Sequence, residues 1–130
     1  WGADILPDTN PLEAGLAWAV RFKKGDFIGR ARLLELKMQP MARRLCCLTI
    51  DDPEATLLGK EPIYADGQLA GYVTSANYGY SVGKWIAYGY LPMGKSEPGT
   101  RLEIDYLGRR FAAVVASEPL FDPDGARLKS

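Results

Sequence analysis

The chain has 130 residues, enough for one domain or for one small domain with a piece of another. Its 47% hydrophobic and 25% charged residues are those of a folded globular protein. Sixteen basic residues balance sixteen acidic ones, which argues against a non-specific nucleic-acid binder, and the absence of histidine excludes a Ser-His-Asp triad, a Cys-His pair and any His-ligated metal or haem site within the chain.

Residues 1–40 read as irregular and helical, and residues 43–120 as strands and turns. The boundary falls near Gln39-Pro40, where proline disfavours helix in the residue before it. Asn10-Pro11-Leu12-Glu13 predicts a helix start. Asn10 caps, Pro11 takes the first helical position, and Glu13 sits where a capping box wants a carboxylate. Gly15 keeps that helix short. Ala17 to Phe22 alternates, with Trp18, Val20 and Phe22 on one face, and predicts a brief strand. Lys23-Lys24-Gly25-Asp26 is a turn. It lacks the spacing of a phosphate loop. A helix is expected from about Gly29 to Met38, with Ala31, Leu33, Leu34 and Met38 as a loose apolar stripe.

The second half repeats a hairpin pattern. Arg44 to Ile50 is a strand closed by Asp51-Asp52-Pro53, whose two carboxylates read as a solvated turn rather than a catalytic pair. Pro62 to Ala65 and Gln68 to Ser75 form a hairpin around Asp66-Gly67, a turn that needs positive φ at both residues. Lys84 to Leu91 is a further strand, ended by Pro92. Arg101 to Tyr106 and Arg109 to Ala116 form a second hairpin around Leu107-Gly108. About six short strands imply a small antiparallel barrel or sandwich. Pro119 to Ser130 is a polar tail.

The two cysteines, Cys46 and Cys47, are adjacent. They are too few for a four-thiolate metal site and read as small core or interface fillers in a reducing compartment, so a cytoplasmic location is expected. No apolar run approaches the roughly 20 residues of a membrane span, and no signal-peptide pattern opens the chain. Because the first residue is Trp1 rather than Met, the chain reads as a segment of a longer protein.

The most unusual stretch is Gly71 to Lys84, where three tyrosines sit among glycines and small polar residues. Tyr78 and Tyr80, between strands, either stack on a flat ligand ring or cover one end of the barrel. The pairs Arg43-Arg44 and Arg109-Arg110 each offer one outward charge. One such arginine can grip an anionic ligand tail bidentately, although spacing does not select which. Residues alone therefore yield a β-rich domain with no self-contained active site and no metal site.

Seven motifs in fixed order carry a resemblance. They are Trp1-Gly2-Ala3-Asp4-Ile5, then Asn10 to Leu16, Lys24 to Arg30, Pro62-Ile63-Tyr64, Gly71-Tyr72-Val73-Thr74-Ser75, Ile86-Ala87-Tyr88-Gly89-Tyr90 and Glu118 to Pro123. Together they resemble the aminomethyltransferase family, which includes the glycine-cleavage T-protein. The local wording is most similar to the C-terminal end of the dimethylglycine oxidase and sarcosine dehydrogenase group. The resemblance implies a mainly β fold, a small antiparallel six-stranded barrel over residues 43–130. It is preceded, over residues 1–42, by a short α+β segment from the edge of an upstream folate-binding domain.

The resemblance also implies a parent protein. A flavin half oxidises an N-methyl group, and a tetrahydrofolate-using half captures the one-carbon unit. FAD would lie outside this chain, and tetrahydrofolate in a cleft shared with the upstream domain. The family's key aspartate lies upstream of Trp1, so no catalytic residue is expected here and the chain alone is expected to be inactive. Trp1, Tyr78, Tyr80 and Arg110 are the residues expected to face the cleft or the anionic glutamate tail. Thr74-Ser75 matches a family motif of structural kind. Partners expected are the upstream folate-binding and flavin domains, with no nucleic acid and no membrane. An exposed apolar surface around Trp18, Phe22 and Phe27 would make the chain prone to self-association. A plain T-protein, or a non-catalytic binding or scaffolding barrel of the same fold, are the alternatives. An iron–sulfur role is disfavoured because Asp26 and Phe27 occupy the stretch where such relatives carry a cysteine.

Overall fold

A computed structural model describes residues 1–129. Its centre is a closed barrel of six antiparallel strands: β1 (Arg43–Ile50), β2 (Pro62–Ala65), β3 (Gln68–Gly79), β4 (Lys84–Pro92), β5 (Arg101–Tyr106) and β6 (Arg109–Val115). The ring order is β1-β4-β3-β2-β5-β6, and β1 closes it against β6 through Leu48 opposite Val115 and Thr49 opposite Val114. The barrel is the fold expected from the hairpin pattern. Closure removes the open edges that would otherwise seek another chain.

Alternation fills the interior. Leu48 and Ile50 of β1, Ile63 of β2, Ala87 and Leu91 of β4, Leu102 and Ile104 of β5, and Phe111, Ala113 and Val115 of β6 are buried in one cluster. Ala55 and Leu57, from the loop after β1, add to it. Buried Glu61 pins that loop by accepting the Leu58 and Gly59 N–H groups at 2.6 and 2.9 Å. Both expected hairpin turns form. Asp66 and Gly67 have φ of 50° and 76°, and Leu107 and Gly108 have 52° and 84°.

β3 and β4 approach closely. A Cβ on Gly71 would lie 2.2 Å from the Tyr90 carbonyl oxygen, and one on Gly89 would lie 2.8 Å from that of Tyr72. β3 also carries a bulge. Val73 pairs with Gly89 but Ser75 with Tyr88, so Thr74 is the extra residue. Parity flips across it, with Val73 in the core and Ala76, three positions on, also packed against the core.

Residues before the barrel differ from the sequence reading in two places. The Asn10 start makes the capping box but no helix. Leu12 and Glu13 N–H donate to Asn10 Oδ1 at 3.0 and 3.1 Å, Asn10 N–H donates to Glu13 Oε1 at 3.0 Å, and one turn follows. The expected strand at 17–22 is instead two 3-10 turns, Ala17–Ala19 and Phe22–Lys24. A strand needs a partner, and the barrel has closed on itself. The segment therefore satisfies its backbone locally, through Val20 N–H to the Ala17 oxygen and Lys24 N–H to the Arg21 oxygen. Helix α1 (Arg30–Met38) matches its expected span but buries no residue. β3 runs on to Gly79, past the expected Ser75, so Tyr78 is a strand residue. A short α2 (Ala126–Lys129) interrupts the polar tail.

Candidate binding groove on the barrel wall

The bulge in β3 has a consequence at the surface. Neighbouring strand residues normally face opposite sides. With Thr74 inserted, the hydroxyls of Thr74 and Ser75 both reach one carboxylate oxygen, Asp4 Oδ1, at 2.5 and 2.8 Å. Thr74 Oγ1 also lies 3.1 Å from the Tyr88 carbonyl, but its single proton serves the nearer acceptor. The Tyr90 hydroxyl donates to the Asp4 carbonyl oxygen at 2.8 Å. Four side chains thus clip residues 1–9 to β3 and β4.

A second clip lies beside the first. Glu13 Oε2 accepts from Arg43 Nε at 2.9 Å, Leu45 N–H donates to the Glu13 carbonyl at 2.8 Å, and the Arg43 guanidinium lies 4.8 Å from the Tyr90 ring centroid. Burial alone would raise the Glu13 carboxyl. The hydrogen bond and charge of Arg43, with the Asn10 N–H, outweigh it and hold Glu13 below its ordinary value of 4.5. Arg43 is pushed up by the same Glu13 hydrogen bond.

Between the clips runs a groove of about 350 Å³, lined among others by Asp4, Leu6, Thr9, Arg43, Tyr72 and Tyr90. Its polar groups are largely spent on one another. It holds no activated nucleophile, and no cluster of three metal-ligating side chains occurs among the described residues. Further along β1, burial pushes the Cys47 thiol up to about 11, with the Glu118 charge acting the same way, and burial raises Cys46 too. Tyr88 is raised by burial and by its hydrogen bond to Glu118. Both cysteines are free, buried fillers, as expected.

The residues expected at a ligand site are dispersed. Tyr78 and Tyr80 do meet, edge to face with ring centroids 5.2 Å apart, and Trp85 adds a third ring 6.1 Å from Tyr78. Tyr80 stands exposed on the turn between β3 and β4. Arg110 sits on β6, across the closed ring from β3. It pairs with Glu103 at 2.8 Å and Asp105 at 3.8 Å and stacks 4.1 Å above the Tyr64 ring. Trp1 is exposed at the outer end of the clipped segment. The Asp4, Arg43 and Tyr90 constellation was not expected. Asp4 and Tyr90 lie inside family-like motifs and Arg43 in a basic pair, but pairings such as Asp4 with Thr74 and Tyr90, 70 and 86 residues apart, leave no local signal.

No helix of the described residues is long and apolar enough to cross a membrane. Residues 43–122 match the model of the glycine cleavage T-protein C-terminal barrel domain. The whole chain is similar to mitochondrial dimethylglycine dehydrogenase of Mus musculus, at 40% identity over 99% of this chain. It is similar to mitochondrial sarcosine dehydrogenase of the same organism at 37% identity and 99%. This chain spans only 15% of the length of each. An aminomethyltransferase of Rippkaea orientalis is 38% identical over 93% of this chain, which spans 33% of it. The crystal structure of the glycine cleavage system aminomethyltransferase T from Bartonella henselae superposes with a TM-score of 0.85 at 30% identity. That match covers 94% of this chain and 35% of the other.

Proposed function

The chain belongs to the family of glycine cleavage T-protein C-terminal barrel domains, and from that premise we propose that it is the closing barrel of a tetrahydrofolate-dependent aminomethyl-transfer module. In this reading the module is part of a longer flavin-linked enzyme that demethylates dimethylglycine or sarcosine and passes the one-carbon unit to tetrahydrofolate. Residues 1–42 form the edge of the preceding folate-binding domain, and residues 43–130 form the barrel that walls one side of the cleft. Trp1, Tyr78 and Tyr80 are the residues of this chain assigned to that wall, while Arg110, across the closed ring from β3 and ion-paired there, is not placed with them.

The observation that carries the reading is the whole-chain likeness to the two dehydrogenases, of which this chain is a small fraction. The donor set agrees with a wall rather than a complete site. A folate's glutamate tail needs a free cation, whereas Arg43 and Arg110 are each already paired with a carboxylate of this chain. The Tyr78–Tyr80 pair is a stacking surface without an opposing wall. These residues do not enclose a pterin by themselves. In this reading FAD belongs to the flavin half, outside these residues. The free, buried cysteines suit a reducing compartment, which is the part of the cytoplasmic expectation retained in this proposal. The dehydrogenase relatives are named as mitochondrial.

Calorimetric titration with tetrahydrofolate tests the reading. The chain extended through the whole folate half is expected to bind, and the 130-residue chain is expected neither to bind nor to turn over. Failure of the extended chain to bind would remove the folate role and leave a scaffolding barrel.

A further inference from the structure

Two Asp-Gly steps occur in the chain, Asp66-Gly67 and Asp124-Gly125. An aspartyl carboxyl beside glycine is open to attack by the glycine's own backbone nitrogen, because glycine carries no Cβ to shield it. The nitrogen gives up its proton and bonds to Cγ, one water leaves, and a five-membered cyclic imide forms. Water then reopens the ring. Where it breaks the bond from that nitrogen to the original main-chain carbonyl, the chain continues through Cγ as an isoaspartyl link, and the former carbonyl becomes a free carboxylate. One water leaves and one returns, so no oxidant or other reactant is needed. The step does require the carboxyl to swing onto the nitrogen, which turns the Asp-Gly peptide out of its folded position.

The two steps differ in what that movement must break. Asp66-Gly67 is the β2–β3 turn, with φ of 50° and 76°. Ala65 faces Gln68 directly behind it, and Tyr64 faces Leu69 on one side and Glu103 on the other. Lys95 Nζ donates to Asp66 Oδ2 at 2.5 Å. Movement there unpicks the hairpin and loses the Lys95 pair. Asp124-Gly125 lies in the tail after β6, where no residue from Ala116 to Arg127 is buried. Asp124 is exposed, and its carboxylate makes no hydrogen bond or ion pair among the described residues. The Gly125 N–H donates to the Asp122 carbonyl at 2.9 Å, and the Asp122 carboxylate accepts from the Ala126 and Arg127 N–H groups at 2.8 and 3.1 Å. All three bonds lie within the tail and hold no barrel strand in place.

We propose that Asp124 is a site of spontaneous isoaspartyl formation in the folded protein, while the hairpin keeps Asp66 intact. The isoaspartyl link lengthens the main chain between Asp122 and α2 by one methylene. The Ala126 and Arg127 N–H groups then lose their carboxylate cap, and the short helix frays. The carboxylate exposed on the main chain is the group that an isoaspartyl-directed, S-adenosylmethionine-dependent carboxyl methyltransferase accepts. The inference rests on the chemistry of the tail and not on the proposed folate role.

Prolonged incubation at neutral pH and body temperature tests this, on the 130-residue chain and on the full-length polypeptide, each folded and in denaturant. Electron-transfer fragmentation of the peptides holding residues 66 and 124 locates the isoaspartate. In denaturant the two sites are expected to convert at comparable rates, since both are Asp-Gly. In the folded proteins Asp124 is expected to convert faster than Asp66 by about tenfold or more, because only local opening is needed. Asp124→Glu, whose longer arm closes no five-membered ring, should remove the signal at that site. A smaller ratio in either folded protein overturns the proposal, as does conversion of Asp124 that only denaturant permits. A ratio already present in denaturant overturns the protective role of the hairpin.

Discussion

Asp4 takes two hydroxyl protons on a single carboxylate oxygen while its carbonyl takes a third from Tyr90. Charge-assisted hydrogen bonds of this kind are worth more than neutral ones, and removing the acceptor leaves two half-buried hydroxyls to find water. Asp4→Ala is expected to lower stability by about 1–2 kcal/mol. Urea unfolding checks this, and an unchanged midpoint would show the clip to be idle. Glu13 makes a pH prediction. Its carboxyl is held below 4.5 in the folded chain, so its stabilising effect is complete above that value and is lost as pH falls through the lower folded value. Glu13→Gln should therefore be less stable than the natural chain at about pH 6, with the gap narrowing toward about pH 3. A gap that is constant with pH would deny the Arg43 pairing its role.

Elements constrain one another through close approach. β3 and β4 pair along most of the barrel wall, and Gly71 lets their backbones meet where a Cβ would stand 2.2 Å from the Tyr90 oxygen. Neither backbone can retreat without breaking the pairing, so Gly71→Ala is expected to cost about 1–3 kcal/mol or more. The displaced carbonyl belongs to Tyr90, so the same substitution should loosen the Asp4 clip. Thermal unfolding with the Tyr90 environment followed by near-ultraviolet circular dichroism reads both effects, and a wild-type transition would contradict the close approach. The hairpin turns behave as their dipeptides require. At Leu107 a non-glycine residue nevertheless holds a φ of 52°, with the Gly108 N–H tied to Asp105 Oδ1 at 2.9 Å.

At the scale of the whole molecule, stability is distributed unevenly. The barrel interior is continuous, whereas residues 15–42 bury nothing. In the 130-residue chain, amides of β1, β4 and β6 should exchange only by global unfolding, and those of α1 by local opening many orders of magnitude sooner. Hydrogen exchange resolved by NMR decides this, and co-exchange of α1 with the barrel would show a coupling that the burial pattern does not contain.

Much of this was legible in the residues. Alternation and the Asp66-Gly67 and Leu107-Gly108 turns determined the strands, because period-two burial and positive φ are local properties of the chain. Asn10 and Glu13 determined their capping box for the same reason, and adjacent Cys46 and Cys47 announced themselves as fillers. Tertiary structure alone decided three things. Closure of β1 onto β6 left the 17–22 segment without a strand partner, so its alternation came to nothing. The bulge at Thr74 turned two consecutive hydroxyls to one side, against the rule that neighbours alternate. Arg110 was taken by Glu103 and Asp105, and Arg43 by Glu13, so which cation stays free depended on who lies across the strand. Glu13 with Arg43 and Asp4 with Tyr90 lie 30 and 86 residues apart, and no local pattern encodes a neighbour that far along the chain, whereas Arg110 meets its carboxylates across the β5–β6 hairpin, Glu103 only seven residues away.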